Sequence, residues 1–433
     1  MEALSSALNL HITQKSSDFC HLQVTIPADL VDTVYHTAAN SQREKIAIPG
    51  FPIGNAPLAY IAHNYNVDLT HHAQEFLFNY FVHSFLLNEI RRNKLIVLGN
   101  PRLIDVHVKP HTDAHYIFET SLQEVPKLQN WKHFPFKAPR RKNYRDIDRQ
   151  VESFIKEETN YFDQMNHTTI AIGDWVNFHI WLADKHSGKT FEPHKENLWL
   201  KIGDEMADAP FQEFFIGKKK GDQFCIAHAC FQNYFSEHMN HKYTYCIEVQ
   251  EVIPTSYFCL QSLKKHFRIK TNKDMHKKLI EVFSFRNDIS QRRLTAEGSL
   301  KLLIKHHPII LQEHALLRQQ QTVLHTLQDN PDYPVYKAQP DFKDYINKLA
   351  HKQMQEMIII DAVGYEENIT VNHEDLYTYL NLMNRVRTKE FIYFESPKTK
   401  INGQETPIPN KTLEYYCFRE KTLNHIIYHL TKH

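Results

Sequence analysis

Glycine is unevenly distributed along this chain, and its distribution constrains the fold more than any other single feature. The 433 residues include only 11 glycines. Five of them fall within residues 173–221, among apolar runs such as WVNFHIWL and FCIAHACF. Glycines mark turns, and short apolar runs between turns are typical of strands. The pattern predicts a small β-rich domain over residues 166–255.

The residues before this region have a different pattern. Residues 1–125 carry two alternating apolar runs, then three stretches with apolar residues at helical spacing, then two further alternating runs. Alternation is typical of strands, and a period of 3.6 residues is typical of helices. We therefore expect an α+β domain, with helices starting at Pro27, at Pro57, and at Asp68 or Thr70.

From residue 256 onward the apolar residues recur at helical spacing, so we expect an all-helical region over 256–433. Pro308 suits the first turn of a helix, and another helix is predicted to end before Gly364. Asn372 resembles an N-cap, and the last helix should begin at about Asn410. Since a chain of this length normally forms two to four domains, the predicted fold class is multidomain α+β.

Charge and hydrophobicity exclude several classes of protein. Lys and Arg number 51 and Asp and Glu number 50, a formal net charge of +1. Binding to nucleic acid through bulk charge is therefore not indicated. The first 14 residues lack the basic and apolar regions of a signal peptide, and no apolar run nears 18 residues. We expect a cytoplasmic protein that does not span a membrane.

The six cysteines are scattered, as expected of reduced thiols in a cytosolic chain. CIAHAC, at residues 225–230, is the one stretch that suggests a metal site. We expect it to form a strand, in which Cys225 would point away from His228 and Cys230. Because zinc needs its ligands around one point, we expect no metal site here, only buried thiols and a surface histidine.

Residues 126–165 are rich in proline and in positive charge. Between residues 132 and 150 there are seven Lys or Arg and two Asp, a local charge of seven minus two, or +5. The segment is predicted to be an extended basic linker. It is either simply solvated or in contact with RNA phosphate.

The order of these segments, together with one loop, resembles trigger factor, the ribosome-associated chaperone, over essentially the whole chain. The family's ribosome-binding tip is a Gly-Phe-Arg-x-Gly-x-x-Pro loop between helices. The matching residues here are Gly50, Phe51, Pro52, Ile53, Gly54, Asn55, Ala56 and Pro57. Taken alone, such a stretch is more often an ordinary turn. The resemblance implies that it contacts the large ribosomal subunit near the exit tunnel.

Two departures weaken the electrostatics of this loop. The family's arginine is replaced by Pro52, and Asn55 stands where a lysine is usual. Only Arg43 and Lys45 remain nearby as positive charge. Because each lost phosphate contact lowers the salt dependence of binding by about one unit, docking should depend only weakly on salt.

The β-rich region resembles an FKBP-type prolyl isomerase, in particular at GDWVNFHIWL (173–182), SGKTFE (187–192) and APFQEFFIGKKKGDQF (209–224). The resemblance implies a proline-binding bowl that needs no cofactor, since isomerisation only rotates a partial C–N double bond. The implied bowl residues are Phe191, Glu192, Leu198, Phe211 and Tyr234. Ile180, Asp208, Pro210 and Cys246 depart from the family's usual residues. We therefore expect an eroded pocket. The alternative is a β domain kept for packing or client contact.

The helical half is similar to the family's body and arms, which hold unfolded clients. Met354, Met357 and Met383 are either adaptable contacts or ordinary core residues. The resemblance thus implies a ribosome-binding domain (1–125), the linker (126–165), an isomerase-like domain (166–255) and a chaperone domain with arms (256–433).

The leading hypothesis is an ATP-independent holdase for nascent chains at the ribosome, without a cofactor or a membrane partner. The alternatives are an active prolyl isomerase and a holdase that works away from the ribosome. The resemblance leaves open a homodimer.

Overall fold

The structure is a computed structural model. It describes residues 8–17, 19–140, 145–164, 169–183, 195–236, 243–255, 260–283 and 289–432.

The N-terminal part is an α+β unit, with the predicted order of elements. Its elements are β1 (Asn9–Gln14), β2 (Cys20–Ile26), α1 (Ala28–Lys45), α2 (Leu58–Asn64), α3 (Asn66–Leu77), a π-helical stretch (Phe78–Val82), α4 (His83–Arg92), β3 (Ile96–His107) and β4 (Ala114–Gln123). The strands form an antiparallel sheet in the order β1-β2-β4-β3. Alternate residues of β2 are buried, which matches its sequence pattern. Because α3, the π stretch and α4 are continuous, they form one long helix over residues 66–92.

The middle part contains a five-stranded antiparallel sheet in the order β11-β6-β5-β8-β7. Its elements are β5 (Trp175–Ala183), β6 (Glu196–Lys201), α6 (Ala209–Phe215), β7 (Gln223–Ile226), α7 (Ala229–Phe235), β8 (Thr244–Ile253) and β11 (Ile408–Pro409). The edge strand β11 comes from the C-terminal part, so this sheet is completed by a segment more than 150 residues further along the chain.

Both faces of this sheet are covered. Phe178 and Leu198 lie on the face that packs against α6 and α7. Trp175 and Trp199 lie on the opposite face, in a cluster with residues of the C-terminal helices. The indole Nε1 of Trp199 donates a hydrogen bond to Asn410 Oδ1 at 2.8 Å. This five-stranded sheet is therefore an inner layer between helices.

The remaining elements are α5 and the C-terminal helices, with one short hairpin. They are α5 (Arg145–Gln164), α8 (Leu260–His266), α9 (Asn272–Ile280), α10 (Gln291–His306), α11 (Glu313–Gln328), α12 (Tyr333–Lys337), α13 (Phe342–Glu366), α14 (His373–Asn384), β9 (Lys400–Ile401), β10 (Gln404–Glu405) and α15 (Asn410–Thr431). None of the helices within the described ranges is long and apolar enough to cross a membrane.

Some expected helix boundaries are correct and others are wrong. Asn372 is the N-cap of α14, as expected, and the structure adds a capping box with Asp375. Pro308 does not start a helix, because it lies in the connection between α10 and α11. The helix predicted to end before Gly364 continues to Glu366. Within this helix, Gly364 allows the close approach of another helix.

The predicted extended linker contains the 20-residue helix α5. Ile147, Val151 and Phe154 recur at helical spacing and pack in a cluster with residues of α8 and α9. This apolar stripe gives the segment a buried face, which the count of basic residues had obscured.

The expectation for residues 225–230 is wrong in two respects. The strand ends at Ile226, and α7 begins at Ala229, where the ring of His228 accepts a hydrogen bond from the Cys230 N–H. Cys225 lies directly opposite Cys246 on β8, and the two form a disulfide rather than reduced thiols. A sequence separation of 21 residues does not reveal this pairing, because the register of β7 on β8 sets it.

Candidate functional site

Two glycines shape the loop between α1 and α2. Gly50 has φ +88° and Gly54 has φ +85°, both in the left-handed region that glycine adopts without strain. The N–H of Phe51 donates to the Ile48 carbonyl, and that of Asn55 donates to the Pro52 carbonyl, each at 3.0 Å. Gly50 and Gly54 thus each lie in or beside a tight turn, and the chain reverses direction twice within eight residues.

The loop turns its apolar side chains outward. The side chain of Ile53 is 65% exposed and that of Phe51 is 36% exposed. The Phe51 ring lies 5.4 Å from the ring of Tyr60, which is itself exposed. Ala56 is buried and Pro57 directly precedes α2, so the end of the loop is anchored. This loop, residues 50–57, is called the tip below.

Positive charge is sparse around the tip. Pro52 and Asn55 are exposed but carry none. Arg43 is only half-exposed, and its Nε is buried without a hydrogen-bond partner among the described residues. The tip therefore offers a partner mainly apolar surface and backbone.

A second exposed apolar surface lies on an antiparallel pair of helices, α11 and α13, joined through α12. Val323, Ile346 and Ala350 fill the seam between the two helices. Gln320 Nε2 donates to Asn347 Oδ1 at 2.9 Å across the pair. Four large side chains point to solvent along this hairpin: Leu317, Val335, Tyr336 and Tyr345, at 40–61% exposure. We call these four residues the hairpin patch.

The methionines do not form such a surface. Met354 is fully buried in the core of the C-terminal part, and Met383 packs against the cluster around Trp199. For these two residues the interpretation as core residues is the better one.

The implied proline bowl is a sealed core where the structure describes it. Leu198 is fully buried and Phe211 is 1% exposed, whereas Tyr234 is half-buried. Leu198 pairs in register with Phe178, whose ring lies 6.0 Å from Phe231, and Phe231 lies 5.5 Å from Phe211. Phe191 and Glu192 lie outside the described residues. A proline ring could reach Leu198 or Phe211 only if their neighbours moved.

Asp208, one of the residues that depart from the isomerase pattern, does not lie at a solvated rim. It is fully buried, and its Oδ1 accepts the N–H of Glu405 from β10 at 2.7 Å. A Cβ on Gly203 would lie 1.9 Å from Asp208 Oδ2, so the missing side chain makes room for this carboxylate. Asp208 thus joins the β domain to the C-terminal part.

The long helix of the N-terminal part packs directly on the β domain, a contact that sequence reasoning missed. Tyr80 donates a hydrogen bond to the Ile180 carbonyl at 3.1 Å, and its ring lies 5.1 Å from Phe235. His72 is hydrogen-bonded with Ser236 at 2.8 Å and also with Tyr243. We call this contact the docking interface. The run EFLFNYFV, residues 75–82, is apolar on more than one face. This pattern was the only indication of the docking interface in the sequence.

Glu75 and Glu196 are carboxylates within the docking interface, and Glu75 accepts a hydrogen bond from Ser236 at 2.7 Å. Ser84 of α4 donates a hydrogen bond to Glu196 Oε1 of β6 at 2.6 Å. Burial raises the pKa of Glu196 from its ordinary value of 4.5 to about 8, although Ser84 and the charge of Lys411 oppose the shift. Glu196 is therefore protonated in much of the docked form at neutral pH.

Comparison with known proteins identifies the N-terminal part. A family profile described as bacterial trigger factor protein (TF) matches residues 8–156. The trigger factor of Solibacter usitatus is 24% identical over 209 residues, which is 47% of this chain and 46% of that protein. The trigger factor of Rickettsia africae is 18% identical over 410 residues, 91% of this chain and 90% of that protein.

The chain spans about half the length of its higher-identity relatives, such as the trigger factor of Solibacter usitatus. A solved structure described as "Promiscuous Substrate Recognition in Folding and Assembly Activities of the Trigger Factor Chaperone" aligns with 97% of this chain and 99% of its own, at 16% identity and a TM-score of 0.36. The profile match assigns residues 8–156 to the N-terminal domain of the trigger factor family, and the relatives that resemble the chain over longer stretches carry the same name.

Proposed function

We propose that this protein is an ATP-independent chaperone that binds nascent polypeptides at the exit of the large ribosomal subunit. The observation that carries the proposal is the tip. Two glycines with positive φ hold Phe51 and Ile53 in solvent, within a domain that matches the family profile. Exposed apolar side chains on a well-defined loop are typical of a docking site.

The hairpin patch supports the second half of the proposal, the binding of clients. Its side chains are largely apolar, exposed and spread over α11, α12 and α13, so they can contact many unfolded sequences with little selectivity. The hairpin is also fixed to the N-terminal part. Arg318 of α11 donates to the Asn100 and Glu119 carbonyls, at 2.7 and 3.3 Å. A client on the hairpin patch would therefore lie on the same body as the tip.

Co-sedimentation with ribosomes tests the proposal. The double substitution Phe51→Ala and Ile53→Ala should abolish pelleting while leaving the far-UV circular dichroism spectrum unchanged, because both side chains are exposed. Val386→Ala is the matched control, since Val386 is 89% exposed and is distant in sequence from the tip. A salt series should show a shallow dependence, because Pro52 and Asn55 add no phosphate contact.

If the wild-type protein never pellets with ribosomes at low salt, docking at the ribosome is wrong. Suppression of aggregation of an unfolded test protein separates the remaining cases. If aggregation is suppressed without pelleting, the protein is a holdase that works away from the ribosome.

We also propose that prolyl isomerisation by the β domain is weak or absent. Catalysis would require an open apolar bowl, and Leu198 and Phe211 are instead covered by their neighbours. The uncatalysed exchange takes tens to hundreds of seconds, so a measurable enzyme must lower the barrier by several kcal/mol. We expect turnover of a peptidyl-prolyl substrate to be far below that of a typical FKBP-type enzyme. Robust turnover by the full chain would restore the alternative of an active isomerase.

A further inference from the structure

A small cavity of about 100 Å³ lies among α8, α9, α10 and α15 in the C-terminal part. Its wall includes four cationic side chains: Arg268, Lys278, Arg292 and Lys421. None of the described residues that line it is a carboxylate. Four positive charges around one enclosed space are unfavourable unless something negative compensates them.

Arg292 is the most deeply buried of the four, at 1% exposure. One of its Nη atoms donates to Asn424 Oδ1 at 2.5 Å. Its Nε is buried without a hydrogen-bond partner among the described residues, and no described carboxylate lies within ion-pair distance. A buried donor without an acceptor costs about 1–3 kcal/mol, and more when it is charged. The unused donor and the charge of Arg292 both favour an anion.

Arg268 lies at the exposed end of the cavity. Its guanidinium is 5.1 Å from the ring centre of Tyr428, and one Nη contacts His425 Nδ1 at 3.3 Å. Neither neighbour neutralises its charge, because neither the phenol ring of Tyr428 nor the imidazole of His425 carries a negative charge. In the part of the chain that the structure describes, Arg268 also has no carboxylate partner.

The two lysines of the cavity differ from the two arginines, because each lysine is paired with a carboxylate. Lys278 pairs with Glu281 at 2.8 Å, and Lys421 pairs with Asp375 at 2.6 Å. Burial lowers the pKa of Lys278 despite this pairing, and the neighbouring Arg292 adds to the effect. After these two pairs are counted, the charges of Arg268 and Arg292 remain.

Glu281 and Glu420 are both carboxylates near Arg292, but Glu281 already pairs with Lys278, and Glu420 is engaged elsewhere. The Oε1 of Glu420 accepts the backbone N–H groups of Tyr393 and Phe394 at 2.8 and 2.7 Å. Burial raises its pKa to about 7, so it carries only part of a negative charge at neutral pH. It does not line the cavity.

We propose that this cavity binds a small oxyanion of the phosphate class, held chiefly by Arg268 and Arg292. A guanidinium presents parallel N–H donors that match the oxygens of phosphate or sulfate. The volume admits a free oxyanion rather than a nucleotide. The bound anion would join α8, α9, α10 and α15, so it would stabilise the helical part rather than act in catalysis. The inference is independent of the proposed chaperone function.

Isothermal titration of the full chain with inorganic phosphate, at ionic strength held constant with sodium chloride, tests the proposal. We expect saturable binding that sulfate competes for. Arg268→Gln should weaken it about tenfold or more, because one charge-assisted contact is lost. Arg387→Gln is the matched control, since Arg387 is an exposed arginine that also stacks on an aromatic ring, that of Phe283, and it should bind normally.

Thermal unfolding gives a second measurement. Phosphate should raise the Tm of the wild type and the control more than that of Arg268→Gln, and this difference separates binding from the general stabilising effect of the salt. Arg292→Gln should lose binding as well, and its far-UV spectrum shows whether it folds. The proposal is overturned if the wild type shows no saturable binding at millimolar phosphate, or if Arg268→Gln binds as tightly as the control.

Discussion

Gly54 shows how the function of the tip depends on single residues. An alanine Cβ at this position would meet no atom within 4 Å, so the only obstacle to substitution is φ +85°. An L-residue held in the left-handed region costs roughly 1–2 kcal/mol. We therefore expect Gly54→Ala to lower the free energy of unfolding by about 1 kcal/mol, or to reshape the tip and relieve the strain.

Gly217→Ala separates these outcomes. Gly217 has φ +81° and is equally unobstructed, but it lies in a turn of the β domain. Both variants should lose similar stability in urea titrations, and only Gly54→Ala should lose ribosome co-sedimentation. Equal ribosome binding by the two variants would contradict a role for the shape of the tip.

The tip could be located from the sequence because its pattern is local. Glycine at residues 50 and 54 carries its own conformational preference, and the exposure of Phe51 and Ile53 follows from the turns that those glycines form. The disulfide between Cys225 and Cys246 could not be found this way, since it depends on the register of two strands.

At the scale of elements, the packing of α13 on α15 should reverse the usual effect of replacing a helical glycine by alanine. Replacing glycine by alanine inside a helix normally stabilises it by up to about 1 kcal/mol. At Gly364 a Cβ would lie 2.2 Å from Phe418 Cζ of α15. We expect Gly364→Ala to destabilise the protein by about 1–3 kcal/mol, the usual cost of overpacking, as measured by denaturant titration.

Gly298 of α10 is the matched control, because a Cβ there would lie 3.2 Å from Phe136 Cε2. A ring can move by a few tenths of an ångström, so Gly298→Ala should be close to neutral. If Gly364→Ala were as stable as Gly298→Ala, the two helices would not be in close contact at this point.

Elements with a strong local signal were predicted well. Asn372 is the N-cap of α14 as expected, and α15 begins at Asn410 as expected. The failures occur where a contact distant in sequence decides the outcome. α13 continues past Gly364 because the ring of Phe418 packs against this glycine. α5 is helical because its apolar stripe packs against α8 and α9.

At the scale of the whole molecule, the docking interface is the feature that the sequence pattern predicts least well. The apolar helix around Tyr80 indicated burial but not its partner. The partner is the β domain, and one hydrophobic core runs through both. The same contact reaches Ile180, one of the residues that depart from the isomerase pattern. This arrangement of domains cannot be predicted from any one segment.

This interface should make stability depend on pH through Glu196. Its pKa is about 8 in the folded chain and close to 4.5 in the unfolded chain, so between these values the folded form holds the extra proton. Stability is then greatest below about pH 4.5 and falls as pH rises towards 8. Buried Glu356, Glu420 and Asp361, with pKa values raised by burial to about 7, 7 and 6, act in the same direction.

Glu196→Gln isolates the contribution of the interface, because glutamine resembles the protonated acid and does not titrate. The variant should be more stable than the wild type at pH 8 and should show a shallower fall between pH 5 and 8. One proton sets an upper limit of about 1.4 kcal/mol per pH unit on the difference in slope, and we expect less because Glu196 is partly exposed. Urea titrations at several pH values measure both slopes, with the exposed Glu213→Gln as control. If Glu196→Gln and Glu213→Gln gave the same slope, Glu196 would not be protonated in the docked form, and the interface would be more hydrated than its contacts indicate.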